Sequence, residues 1–172
     1  MSAGPLFSKP ALFTIDTSSF LEIFRDDGRH SKKHFPSLWN DVCQLIADGT
    51  MLSHVQVYNE ISPGDELHTW AKANKDLFLE YDLPAEGDVI KSLTGDYKDF
   101  VNAKVKPVNA DPWLIAQAKV RGLTIVTEEV GTTGFNKPKP RNMRIPDVCG
   151  DPIINVRCIT LLGLIQDRGW KY

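Results

Sequence analysis

The chain has 172 residues and a mass of 19.3 kDa, about one domain of common size, and its 42% apolar and 24% charged residues exclude intrinsic disorder and a collagen-like repeat. Lys and Arg total 20 against 22 Asp and Glu, so the net charge of -2 excludes a uniformly basic nucleic-acid coat and confines any such contact to a local patch.

Residues 11–15 (ALFTI) are a short apolar, β-leaning run that stops at Asp16-Thr17-Ser18-Ser19, residues that favour helix N-caps. Strand, turn and helix are expected in that order. After the polar stretch 25–34, Pro36 can open a helix in which Leu38, Trp39, Val42, Leu45 and Ile46 share one face and which Gly49 ends. Residues 51–55 read as a second strand, 56–61 as a short helix broken by Ser62-Pro63-Gly64, and 66–78 as a further helix. Val89, Ile90, Leu93, Tyr97 and Phe100 give 88–100 the spacing of an amphipathic helix. Asp111 and Pro112 suit the start of a helix that Gly122 closes, 123–127 is a strand, 131–143 an irregular loop, and 155–166 the last helix. Alternating strands and helices predict one α/β domain over 1–172, with its core at about 11–166. A mostly parallel sheet covered on both faces binds polar ligands beyond the carboxyl ends of its strands.

Lys9 and two prolines interrupt the first twenty residues, where a secretion signal needs an unbroken apolar stretch. The apolar run 158–165 is far short of the roughly 18–20 residues that span a bilayer. Cys43, Cys149 and Cys158 form no C-x-x-C pair, so a reducing cytoplasm and no membrane segment are expected.

Asp16 follows one apolar strand and Glu128 and Glu129 another, which sends both groups to the same edge of a parallel sheet. Asp111 stands at a helix start, and Glu60 lies near the end of a short helix that can approach the same edge. Converging carboxylates repel one another unless a cation neutralises them, and oxygen-only ligands suit magnesium or manganese. One or two such ions can activate water and hold a phosphodiester for in-line hydrolysis. Spacing alone leaves the alternative open that Asp16 and Asp111 are simple helix caps, each contributing about 1 kcal/mol of stability.

The stretches LFTIDTSSFLEI, VYNEI and NADPWLIAQAKVRGLTIVTEE together resemble the PIN-domain family of metal-dependent nucleases, which includes VapC-type toxin ribonucleases, and in particular a PIN-like bacterial and archaeal branch. The resemblance runs from about Leu12 to Cys158. It implies a three-layer α/β/α fold in which Asp16, Glu60, Asp111 and Glu129 are the catalytic acids and hold one or two magnesium or manganese ions. The last acid departs from the family pattern, being Glu where Asp is usual, and Glu128 competes with Glu129 for that place. Ser18 fills the family's small polar position two residues after the first acid. Ser18 and Thr127 are read either as supports of a ligand or as local caps. Asp147, in RIPDVC, is a fifth, lower-ranked acid. The resemblance further implies an endoribonuclease acting as the toxin of a toxin-antitoxin pair, with RNA as substrate, an antitoxin protein as partner and a homodimeric state. The competing reading is a catalytically silent PIN-like module that binds protein or RNA.

Between Lys137 and Arg144 the sequence KPKPRNMR carries Lys137, Lys139, Arg141 and Arg144 with no acid, on a segment opened by two prolines. It is read as an RNA-phosphate grip, with a solvated loop or an antitoxin-docking loop as the alternatives. His30 and His34 stand at i, i+4 in a second basic cluster, where the lack of companion ligands nearby in sequence favours a solvated loop over zinc. Trp39 and Trp113 are expected to pack rather than to stack on bases. No P-loop, G-x-G-x-x-G or G-x-S-x-G motif is present, and Ser18 replaces the second Asp of an aspartyl phosphatase.

Overall fold

The structure is a computed structural model that describes residues 10–102, 109–132 and 143–172. Its strands are β1 (Phe13–Ile15), β2 (Met51–His54), β3 (Phe78–Leu79), β4 (Thr124–Val126) and β5 (Cys158–Ile159). They form one all-parallel sheet in the order β3-β2-β1-β4-β5, with Phe13 opposite Met51 on one side and Thr124 on the other. The helices are α1 (Thr17–Phe24), α2 (Pro36–Ala47), α3 (Val55–Glu60), α4 (Glu66–Ala73), α5 (Leu83–Asp96), α6 (Lys98–Asn102), α7 (Asp111–Arg121), α8 (Ile145–Cys149) and α9 (Leu161–Arg168). No helix among the described residues is long and apolar enough to cross a membrane.

Right-handed crossovers carry the β1–β2 and β2–β3 connections over one face and the return from β3 to β4 over the other, giving the expected three-layer α/β/α arrangement. On the first face Phe20 and Phe24 of α1, Trp39 of α2 and Trp70 of α4 interlock, with ring centroids 5.1–5.6 Å apart. On the second, α7 packs on β1, β2 and β4 with α5 behind it, burying Leu114, Ile115 and Ala118. A polar rivet ties that layer to the sheet. The Thr14 hydroxyl donates to Gln117 Oε1 (2.7 Å), Gln117 Nε2 donates to the Ser53 carbonyl (3.1 Å), and the Ser53 hydroxyl donates to the Ile15 carbonyl (2.8 Å). All three side chains are fully buried, so every bond is made away from water, where losing one partner costs most.

Three elements depart from the expected boundaries. The helix predicted at 66–78 stops at Ala73, because the Asn74 side chain bonds back to the Trp70 carbonyl (2.8 Å) and Phe78 joins the sheet opposite Ser53. The helix predicted at 88–100 opens earlier, at Leu83 with Pro84 in its first turn, and breaks at Tyr97, whose hydroxyl donates to Asp151. The last helix begins not at Asn155, which sits at a positive φ of 48°, but at Leu161, where the Thr160 hydroxyl caps Gly163 N. Between them lies β5, too short to leave a periodic signal. The Gly122 prediction holds: at φ 67° it ends α7 in the left-handed conformation.

Candidate functional site

The strand order reverses between β1 and β4: from β1 the chain builds outward through β2 and β3, then returns to lay β4 on β1's other side. In an open parallel sheet this leaves a crevice at the carboxyl ends of the two neighbouring strands, since their connections depart to opposite faces. Asp16 is the first residue after β1, and Thr127, Glu128 and Glu129 directly follow β4. The backbone joins them, with Asp16 N donating to the Val126 carbonyl at 3.0 Å.

Asp16 is only 3% exposed, and its Oδ2 accepts three hydrogen bonds, from Ser18 N (3.3 Å), the Ser18 hydroxyl (2.7 Å) and the Thr127 hydroxyl (3.0 Å). It therefore caps α1, as the structural alternative required, and also does more. Each of the two hydroxyls that donates to Asp16 also accepts a backbone N–H from the turn after β4: Glu128 N to Ser18 Oγ (3.0 Å) and Glu129 N to Thr127 Oγ1 (3.2 Å). Ser18 and Thr127 thus fasten that turn to the buried carboxylate and fix its orientation. Burial raises the Asp16 pKa, the Ser18 and Thr127 hydrogen bonds oppose the rise, and the nearby charges of Glu129 and Glu60 add to it.

Glu60, at the end of α3, reaches in from the opposite side. Its Oε2 accepts the Thr17 hydroxyl (2.7 Å), and its Oε1 accepts Ala110 N (3.0 Å) at the start of α7. It therefore binds both α1 and α7 next to Asp16. Asp111 occupies the first turn of α7 and is 5% exposed, with its amide held by the Asn109 side chain (3.3 Å). It is not the N-cap of that helix. Ala110 holds the cap position, so the capping role offered for Asp111 does not apply.

The two glutamates after β4 separate cleanly. Glu129 contributes its charge to Asp16; its Oε2 accepts Ile145 N (2.9 Å) and its Oε1 lies 3.4 Å from Arg144. Glu128 turns away, accepting Leu161 N (2.7 Å) at the start of α9 and Arg29 (3.4 Å). Asp147 accepts Arg144 N (2.9 Å) and Thr132 N (2.6 Å), which commits both oxygens to fixing α8. The chain passes so close here that a Cβ on Gly131 would lie 3.1 Å from Asp147 Oδ1. Lys137, Lys139 and Arg141 lie outside the described residues. Arg144 borders the edge with its side chain 59% exposed. Trp113 stacks on the His54 ring (5.8 Å, 14°) and Trp39 belongs to the aromatic layer, so both pack as predicted.

The donor set at this edge is oxygen throughout, the chemistry of a hard divalent cation, and a cation would relieve the repulsion that Glu60 and Glu129 exert on Asp16. Among the described residues no three of these four acids present oxygens within 4.8 Å of one another. Asp16, Glu60 and Glu129 instead rest on local donors. Sequence reasoning missed two supports, Thr17 on Glu60 and the Ile145 amide on Glu129. Thr17 was visible as one hydroxyl in the run after Asp16, but the Ile145 amide leaves no mark in side-chain identity.

Comparison with protein families matches residues 13–172 to a domain of unknown function, DUF4411. No curated protein matches the chain.

Proposed function

This chain belongs to the DUF4411 family, and we propose that it is a PIN-like, metal-dependent endoribonuclease that hydrolyses RNA phosphodiester bonds in the cytoplasm. The observation that carries the reading is a buried, hydroxyl-oriented Asp16 at the β1/β4 switch point, with Glu129 and Glu60 near enough for their charges to act on it. A buried carboxylate is offset by hydrogen-bond donors, as Asp16 is on Oδ2, or by an opposite charge. This one also has two further acids around it, the arrangement that a cation completes.

Asp16, Glu60, Asp111 and Glu129 would hold one or two magnesium or manganese ions, which when bound supply the positive charge for in-line attack of water on the phosphodiester. The chain's own groups do the rest. Ser18 and Thr127 hold the Asp16 carboxylate in one orientation through its Oδ2. Glu60 fixes the start of α7 and with it the position of Asp111. Arg144, ion-paired to Glu129 at 3.4 Å and largely exposed, is placed to exchange that carboxylate for a substrate phosphate. By resemblance, the protein would serve as the toxin of a toxin-antitoxin pair, held in check by an antitoxin and acting as a homodimer.

A catalytically silent binding module is the second reading. It is favoured by the local donors that already occupy Glu60 and Glu129 and by the spread of the four acids. Cleavage of a mixed RNA pool by purified protein with manganese, magnesium or chelator, beside Asp16→Asn and Asp111→Asn, separates the two. Metal-dependent cleavage by the parent and none by the variants is the expected result. Folded parent that neither cleaves nor binds manganese overturns it in favour of the silent module.

A further inference from the structure

Residues 25–34, which read in sequence as a solvated basic loop, are folded back onto α1. Gly28 makes this possible: a Cβ there would lie 2.0 Å from the Glu22 carbonyl oxygen, an approach only glycine allows. Lys32 N then bonds the Ile23 carbonyl (2.8 Å), Ser31 is 1% exposed, and His30 is laid over Glu22 with its amide on Glu22 Oε1 (3.3 Å).

This fold brings His30 to two acids that are far from it in sequence or on another element. One ligand atom each from Glu22, His30 and Glu128 lie within 4.8 Å of one another, with the three side chains 17%, 18% and 10% exposed. The His30 Nδ1 is buried, has no hydrogen-bond partner, and stands 3.6 Å from Glu22 Oε1, too far for a hydrogen bond. The positive charge now beside them is the Arg29 guanidinium, 3.5 Å from Glu22 and 3.4 Å from Glu128, long for charge-assisted bonds and on a side chain that is 75% exposed. One guanidinium balances only half the charge of two carboxylates. A dication balances both and gives the ring nitrogen a partner.

We propose that Glu22, His30 and Glu128 form a second metal site, distinct from the Asp16 edge, that takes a transition-metal dication of the zinc or cobalt(II) class, with Arg29 as its displaceable lid. Two carboxylate oxygens and one imidazole nitrogen select such borderline ions over magnesium, and three protein ligands leave a coordination position open to water or to an anionic group. The site joins the end of α1, the turn after β4 and, through Leu161 N on Glu128, the start of α9. A bound ion would therefore also brace the turn that carries Glu129. The proposal does not depend on nuclease activity.

Cobalt(II) titration of the purified chain, followed by visible absorption, tests it. The parent should develop a saturable ligand-field band, and Asp111→Asn should keep it. His30→Ala should lose it while melting at the temperature of the metal-free parent, and Arg29→Ala should bind several-fold more tightly by removing the competing charge. Zinc should raise the melting temperature of the parent but not of His30→Ala. Equal cobalt spectra in the parent and His30→Ala, or no cobalt binding by either the parent or Arg29→Ala, would overturn the site and leave Arg29 as its permanent cation.

Discussion

Two buried carboxyl groups lie beside neighbouring strands, and the protein treats them in opposite ways. Asp16, after β1, receives three donors on one oxygen, from a serine amide and two hydroxyls that are themselves held by backbone amides. Glu86, on α5, faces His54 at the end of β2 with Nε2 to Oε2 at 3.5 Å. Glu86 Oε1 and His54 Nε2 are both buried without a hydrogen-bond partner, although Asp82 N donates to Glu86 Oε2 at 3.2 Å. Burial raises the pKa of both acids and pushes His54 down to about 4. The difference lies in what surrounds them. Around Asp16 stand further acids and oriented donors at an edge of the sheet, whereas the His54 ring is packed between Tyr81 and Trp113, and the charge of Arg121 reaches both His54 and Glu86. On the proposed function the first is an environment that a cation would complete, and the second is a cost the fold carries.

The largest effect is expected at the proposed metal ligands. Asp111→Asn should abolish metal-dependent cleavage while leaving the melt nearly unchanged, because the residue is not a helix cap. A melt lowered by several degrees together with the lost cleavage would assign Asp111 a structural role instead. Removing the hydroxyls, with Ser18→Ala and Thr127→Val combined, should weaken manganese binding by about 10–100-fold, the usual cost of losing the groups that orient a ligand. Titration of the double variant by electron paramagnetic resonance checks this, and unchanged affinity would reduce both residues to caps.

At the buried pair the sign is reversed, and substitution should help. A carboxyl whose pKa is raised by folding contributes most below its unfolded value and loses that contribution as pH rises through the folded one. Glu86→Gln should therefore raise the melting temperature by a few degrees at pH 7–8. The gain should vanish as pH falls toward the usual glutamate range near 4.5. His54 behaves in the opposite direction. It stays neutral in the fold, so its contribution is intact above its usual 6.5 and is lost as pH drops through about 4, in the parent and in Glu86→Gln alike. Melts of both proteins across pH 3.5–8 check the two limbs together. The smallest effect is expected at Arg144→Gln, which removes one exposed cation and should lower the salt dependence of RNA binding by about one phosphate contact.

Much of this arrangement was legible in the residues. The apolar run ending at Asp16, the strand ending at Thr127 and the Gly122 stop gave β1, β4 and α7 their places. A parallel sheet then brought Asp16 and the 128–129 pair to one edge. Less legible was everything set by tertiary pairing. Two-residue strands such as Phe78–Leu79 exist because Ser53 and His54 offer them an edge, and no local periodicity marks them. Glu128 and Glu129 differ by one position and so in direction, but only the amides of Leu161 and Ile145 decide which neighbour each takes. The segment around His30 read as solvated because its partners, Glu22 and Glu128, are assembled by a glycine-permitted fold-back.

The most direct test of the claim that the β1/β4 edge is a cation site is manganese titration in a His30→Ala background, which silences the second site, with and without Asp16→Asn. Saturable manganese binding that falls at least tenfold on Asp16→Asn, with the fold intact by its melt, is the predicted result. Binding that Asp16→Asn leaves unchanged, or no binding by the folded parent background, would contradict it.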